Sequence, residues 1–223
     1  MKKRCAAIAF KKIHPHMVIG LGGGSTIGFL VDMIKEAQLD IQIVTPSEKT
    51  KQHCLEAGLT VLDPAFVATI DLAFDGCDEV DQDLQVLKSM GGIHTEEKII
   101  AKMAKEYIVL VDESKVSSTL SFRVPITLEV VREALTSVLS NLSAKGDVTP
   151  RMSQTSDAYT FTSRGTILVE FTPNDKHSLK EWNTYLLMLP GIVDTSLFYN
   201  IATRAIVVTA TSDYELTGGR KHV

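Results

Sequence analysis

The first half of the chain alternates short apolar runs with helix-patterned segments, and this alternation narrows the fold more than any other feature. Strand-like runs fall at 17–21, 41–45, 72–74 and 107–111, and helical patterns at 3–13, 26–37, 48–57 (closed by Gly58) and 95–106. Strands separated by helices imply βαβ units and a mostly parallel sheet. Such sheets take ligands at the carboxyl ends of their strands. The segments 22–26, 75–79 and 112–115 each follow a strand at that end, so three loops converge on one edge.

Near Phe122-Arg123-Val124-Pro125 the rhythm changes. A strand at 125–130, a helix at 132–142, two short strands (near 149–152 or 159–161, then at 166–171), a helix at 178–189 and a strand at 192–198 follow. That β-α-β-β-α-β order is ferredoxin-like. A last strand, 204–211, is expected to return to the first unit. The expected architecture is therefore α/β: a Rossmann-like domain of residues 1–122 and 199–223, with a smaller ferredoxin-like α+β domain at 123–198.

Composition excludes several classes. With 223 residues, 44% hydrophobic and 22% charged, the chain is long enough for a sizeable core. A net charge of -4 gives no reason to expect nucleic acid as a partner. The three cysteines, Cys5, Cys54 and Cys77, form no CxxC pair. They argue against a disulfide framework or a zinc site, and for a reducing, cytoplasmic setting. The apolar run after Lys2-Lys3-Arg4 ends at Phe10, too short for a signal-peptide core, and no run approaches a membrane span.

Four motifs carry chemistry. Gly20-Leu21-Gly22-Gly23-Gly24-Ser25-Thr26 follows a strand and opens a helix, where backbone N–H groups and the helix dipole favour an anion. Counted from Gly20, Ser25 stands where a dinucleotide fingerprint needs its third glycine, and no lysine follows to make a nucleotide P-loop. A small phosphate or carboxylate fits better. A tight turn with Ser25 or Thr26 as helix cap accounts for the same residues. Asp75-Gly76-Cys77-Asp78-Glu79 places carboxylates where a strand leaves the core, and neighbouring carboxylates raise one another's pKa into a range useful for proton transfer. An acidic solvated turn is the plain alternative. Lys88, before Ser89-Met90-Gly91-Gly92, ends an apolar run and can bring an ammonium to a developing oxyanion. Glu96 and Glu97 open the helix begun near Thr95. Acids suit a helix start in any protein, and helical spacing does not choose a base between them; Glu96 is, if anything, nearer the centre of the apolar face. His14-Pro15-His16 reads as an exposed turn. His94 reads as a helix-start residue beside the site, and Cys77 as a small residue filling a tight place.

Together these blocks resemble the ribose-5-phosphate isomerase A family over nearly the whole chain. Gly22-Gly23-Gly24-Ser25-Thr26, Asp75-Gly76-Cys77-Asp78-Glu79, Lys88 with its glycine loop, Thr95-Glu96-Glu97-Lys98-Ile99-Ile100 and Asp112-Glu113-Ser114-Lys115 carry the likeness, with Pro190-Gly191-Ile192-Val193 and Leu197-Phe198 later on. The resemblance implies interconversion of ribose 5-phosphate and ribulose 5-phosphate through an enediolate, with no metal or organic cofactor. It implies that Glu97, not Glu96, is the base, with Asp75, Asp78 and Lys88 as the other catalytic groups. Substrate-holding positions fall on Gly22, Gly23, Gly24, Ser25, Thr26, Gly91, Gly92, Lys115 and Lys2. It also implies a homodimer or homotetramer. Ser89 and Met90 interrupt the family's fuller glycine run, and Thr45-Pro46-Ser47 stands for its serine-rich loop. A non-catalytic sugar-phosphate sensor of the same fold is the alternative. Such a sensor would carry a helix-turn-helix ahead of this fold, whereas the chain starts almost directly at the first helix. A nucleotide enzyme is disfavoured by the glycine spacing.

Overall fold

The computed structural model describes residues 1–175 and 178–218. Residues 176–177 and 219–223, assigned above to the smaller and larger domains, lie outside the described residues. A seven-stranded sheet forms the centre of the fold. Its strands are β1 (Val18–Leu21), β2 (Gln42–Val44), β3 (Thr60–Val61), β4 (Ile70–Asp75), β7 (Ala104–Asp112), β14 (Arg204–Val208) and β15 (Asp213–Thr217), in the order β15-β14-β7-β4-β1-β2-β3. All pairings are parallel except β14 with β15. Helices α1 (Lys2–Phe10), α2 (Ser25–Glu36) and α3 (Glu48–Glu56) pack on one face, and α4 (His94–Met103) on the other.

Strand alternation explains the two cores. Along β7, Ile108 and Leu110 enter the α1–α2 layer, while Tyr107, Val109 and Val111 enter the α4 layer. From β1 the chain runs outward to β2 and β3, then returns through β4 on the other side. The strand order thus reverses between β1 and β4, which opens a crevice at their carboxyl ends.

A second sheet has four antiparallel strands, β9 (Ile126–Val130), β10 (Gly146–Pro150), β11 (Ile167–Pro173) and β12 (Ile192–Thr195), in the order β10-β11-β9-β12. With α5 (Leu135–Ser143) and α6 (Leu179–Met188) it gives the ferredoxin-like arrangement. A third sheet was not anticipated: β5 (Glu79–Asp81), β6 (Val86–Leu87), β8 (Val116–Ser117) and β13 (Leu197–Phe198). Its strands are two or three residues long, too short to show a period.

Several expected boundaries are corrected. The fourth helix ends at Met103, not residue 106, because Ala104 and Glu106 pair with Ile70 and Leu72 of β4. Sheet register overrides the helix preference of Ala-Lys-Glu. The first helix stops at Phe10 rather than residue 13. The run 192–198 is two strands, since Ser196 breaks it: its N–H bonds Thr127 O, and β13 pairs with β6 instead of β9. The last expected strand ends at Val208 and is followed by β15. Of the two positions offered for the second small-domain strand, the nearer is β10, ending at Pro150; Tyr159 and Phe161 make only isolated bridges.

Close approach at one glycine sets the distance between α4 and the sheet. A Cβ on Gly20 would stand 2.7 Å from Ala73 Cβ and 2.8 Å from Ile100 Cγ2. Gly20→Ala is expected to lower stability by about 1–3 kcal/mol through overpacking; urea unfolding measures it, and an unchanged midpoint would contradict this packing.

Candidate active site

Two periodicities bring the key acids together. Ala73 and Ile100 meet near Gly20. Two residues further along β4, on the same face, is Asp75; one turn earlier on α4 is Glu97. Strand and helix therefore deliver their carboxylates to one place at the open end of the sheet. Lys88, just beyond β6, completes the group. Its Nζ lies 2.9 Å from Asp75 Oδ2 and 3.3 Å from Glu97 Oε1, and donates to Gly76 O at 2.6 Å. All three side chains are buried. Tyr107 donates its hydroxyl to Asp75 Oδ2 at 3.4 Å, and Asp75 Oδ1 accepts the Gly76 N–H at 2.8 Å.

Gly22 lies beneath this group. A Cβ there would be 1.9 Å from Asp75 Oδ1, so the aspartate occupies the space that glycine leaves. Gly22 does not line the cavity itself, and neither does Gly92, whose positive φ of 70° turns the loop toward Leu168. Gly22 makes room for the Asp75 carboxylate, and a Cβ on Gly92 would stand 2.8 Å from Leu168 Cδ1.

The remaining expected residues meet in one cavity of about 570 Å³, lined by Lys2, Gly23, Gly24, Ser25, Thr26, Asp75, Asp78, Lys88, Gly91, Glu97 and Lys115. Asp78 Oδ2 accepts the Met90 N–H at 3.0 Å. Lys115 Nζ donates to Cys77 O at 2.6 Å, and Lys2 Nζ to Ser25 Oγ at 2.9 Å. Gly24, at φ 94°, precedes α2, and no side chain caps that helix. Ser25 and Thr26 are its first residues rather than its cap, so the first amides of α2 face the cavity without a competing side-chain acceptor. The loop after Lys88 is less free than its glycines suggest. Ser89 is fully buried, and its carbonyl accepts from Thr127 Oγ1 at 3.0 Å and Arg151 Nη2 at 2.7 Å.

Ser47, from the loop set above against the family's serine-rich one, also lines the cavity, as does Lys49, which the sequence reading did not single out. Ser47 caps α3, accepting from the Thr50 N–H at 3.3 Å, and Lys49 stands in the first turn of that helix. Lys49 reads as a solvated surface charge; the one available signal was its place just beyond the carboxyl end of β2. Three other candidates do not line the cavity. Glu79 takes hydrogen bonds from Ser117, Ser121 and Arg123 and does not line the cavity. Glu96 reaches Arg164 Nη1 at 2.5 Å, outside the cavity. His94 is buried at the start of α4, also off the cavity. Among the described residues, no group of three or more His, Cys, Asp and Glu side chains is arranged to hold a metal ion.

Burial and charge set the proton affinities. Burial pushes Glu97 up, the Asp75 carboxylate adds to the rise, and Lys88 draws it partly back, leaving it at about 8. For Lys88, burial favours the neutral amine, but the Asp75 and Glu97 charges outweigh it and hold the group above its usual value. Burial pushes the Cys77 thiol up to about 12, which leaves it protonated and inert near neutrality. The site thus holds a fixed cation beside a carboxyl group that gains or loses its proton close to neutral pH.

Known proteins resemble this chain over most of its length. Residues 42–212 match the family model for ribose 5-phosphate isomerase A (phosphoriboisomerase A). The chain belongs to that family. It is 36% identical to ribose-5-phosphate isomerase A of Pyrococcus furiosus, over 94% of each chain. It is 33% identical to that of Prochlorococcus marinus, over 93% of this chain and 90% of the relative. Human ribose-5-phosphate isomerase is 36% identical over 86% of this chain, which spans 64% of the human protein. Among solved structures, a D-ribose-5-phosphate isomerase in complex with phospho-erythronic acid superposes with TM-score 0.91 at 30% identity, and ribose 5-phosphate isomerase A of Methanocaldococcus jannaschii with 0.89 at 29%; each comparison covers 97% of both chains.

Glu97 gives stability a definite sign with pH. Its folded value of about 8 exceeds the ordinary 4.5, so between those values the folded state holds a proton that the unfolded state has lost. Stability from this group is present below 4.5 and is lost as pH rises toward 8. Glu97→Gln removes that loss. Its melting temperature relative to the unsubstituted protein should rise from pH 5 to pH 8; a constant difference would contradict the raised value.

Proposed function

We propose that this protein is an aldose–ketose isomerase interconverting D-ribose 5-phosphate and D-ribulose 5-phosphate. The observation that carries the reading is the buried Lys88, held between Asp75 and Glu97 at the bottom of a cavity rimmed by lysines and an uncapped helix start. Family membership supplies the substrate. One relative that superposes with TM-score 0.91 was solved in complex with phospho-erythronic acid.

The phosphate is read as sitting at the start of α2, against Ser25, Thr26, Lys2 and Lys115, with Lys49 on the same rim. Helix N-termini and ammonium groups both favour an anion there. The sugar then extends inward toward Asp75, Lys88 and Glu97. Asp75, with Lys88, assists opening of the furanose ring by moving a proton between hydroxyl and ring oxygen. Glu97 takes the C2 proton, generating an enediolate, and delivers a proton to C1, while the hydroxyl proton on O2 passes to O1. Lys88 and backbone N–H groups stabilise the negative oxygen, and because they are fixed in place before reaction they need no reorganisation. Asp78 orients hydroxyls. The raised proton affinity of Glu97 suits both halves of this exchange: the group is a stronger base than an ordinary carboxylate and still gives its proton up near neutral pH.

The resemblance supports a homodimer or homotetramer, and the three buried, unpaired thiols support a reducing, cytoplasmic setting. No helix among the described residues is long and apolar enough to cross a membrane. The two-domain division at residues 122–123 and 198–199 is proposed on the same footing. β13 and β14 flank the second boundary, one in the small third sheet and one in the central sheet.

The deciding assay mixes the protein with ribose 5-phosphate in EDTA, without added nicotinamide, and follows ketose formation. Conversion is expected. Glu97→Gln should lower kcat by at least about 100-fold, the usual scale for losing a general base, while Glu96→Gln retains most activity. Loss in Glu96→Gln with near-normal turnover in Glu97→Gln would reverse the assignment. Binding without conversion would favour a sensor.

A further inference from the structure

The first turn of α4 is anchored almost entirely by the ferredoxin-like sheet. Thr95 Oγ1 donates to Glu129 Oε2. Glu96 Oε1 accepts from Arg164 Nη1 at 2.5 Å. Lys98 Nζ donates to Asp194 Oδ1 at 2.6 Å and to Thr195 O at 2.5 Å. Glu97, between them, is the one residue from 94 to 98 that lines the cavity.

Glu129 organises this anchor. It stands on β9, with β11 and β12 on either side, and is only 1% exposed. A carboxylate there is costly unless every lone pair is met. Thr166 Oγ1 donates at 2.6 Å, and Arg164 donates from Nε at 3.0 Å and Nη2 at 2.6 Å. The remaining arm of the same guanidinium holds Glu96. A planar fork with fixed donors sets the spacing of the two carboxylates it bridges, which a flexible ammonium does not.

We infer that Arg164 and Glu129 are positioning residues: through Thr95 and Glu96 they fix the first turn of α4, and with it the reach of the Glu97 carboxylate toward Lys88 and the substrate carbon. The inference rests on Glu97 being the base. It assigns the smaller sheet a part in the chemistry, although none of its strands supplies a cavity residue. Among the described residues the Glu97 carboxylate pairs only with Lys88, at 3.3 Å, so a shift in helix phase would go uncorrected within the cavity.

The test uses Arg164→Met, which removes the fork but keeps the length, and Arg164→Lys, which keeps the charge. Because Arg164→Met leaves Glu129 buried and unpaired and can prevent folding, the double variant Glu129→Gln/Arg164→Met is made in parallel. Two readouts are taken on folded protein: kcat and KM for ribose 5-phosphate, and the carbon-13 carboxyl titration of Glu97, assigned by its absence in Glu97→Gln. The groups facing Glu97 (Asp75, Asp78, Lys88 and Tyr107) are unchanged in every variant. A misplaced base is expected to lower kcat by about 10- to 100-fold, with KM little altered, with partial recovery in Arg164→Lys, and with a Glu97 midpoint displaced from that of the unsubstituted protein. Unchanged kcat and Glu97 titration in a folded variant would overturn the inference, as would a loss that merely tracks the folded fraction. If Glu97→Gln is inactive while Arg164→Met is fully active, the site reading stands and the positioning role falls. If the unsubstituted protein does not convert ribose 5-phosphate, the proposed function falls, and the titration alone decides whether the anchor sets the Glu97 environment.

Discussion

A buried ammonium must be paired, and the pairing of Lys88 draws the rest of this structure into register. Leaving such a charge without a partner typically costs about 3–5 kcal/mol. Lys88 meets the requirement with two carboxylates from separate elements: Asp75 at the end of β4 and Glu97 in the first turn of α4. Its own backbone N–H bonds Ser196 O, between β12 and β13. One side chain therefore links the central sheet, the helix above it and the segment leading back from the smaller sheet. Gly22 and Gly20 are glycines for the same reason: one leaves room for the Asp75 carboxylate and the other lets α4 approach.

The arrangement is uneven, and that unevenness is useful. Two carboxylates share a single cation in a space with little water, so Lys88 is held charged while Glu97 is pushed up to about 8. Sites that stabilise the fold alone tend to look like Glu79, whose lone pairs are met by Ser117, Ser121 and Arg123 and whose carboxyl is lowered: burial alone would raise it, and those hydrogen bonds outweigh burial. Within one acidic stretch, then, Asp75 and Asp78 face the cavity while Glu79 secures the linker into the smaller sheet.

Much of this was legible in the sequence. The alternating first half implied a parallel sheet with its loops at one edge, and Asp75, Asp78, Lys88 and Lys115 do meet there. What stayed hidden depends on partners far away in the chain. A helical wheel sees only α4, so it could not tell that Glu96 turns to Arg164 while Glu97 turns inward. The end of α4 at Met103 was set by pairing with β4, against local helix preference. The third sheet consists of two- and three-residue strands, in which no period can appear. Nothing in the sequence around Lys49 sets it apart from a surface lysine; the packing of α3 beside β2 is what brings it to the cavity.

The central claim is that a carboxylate at position 97 moves a carbon-bound proton, and solvent isotope exchange tests it most directly. Ribose 5-phosphate is carried to equilibrium with the protein in deuterium oxide, and the sugar is examined by proton NMR. A base whose proton exchanges with solvent during the lifetime of the enediolate should deliver deuterium to C2 of the aldose and C1 of the ketose, and Glu97→Gln should deliver about 100-fold less in the same time. Deuterium delivered by Glu97→Gln as fast as by the unsubstituted protein would contradict the account.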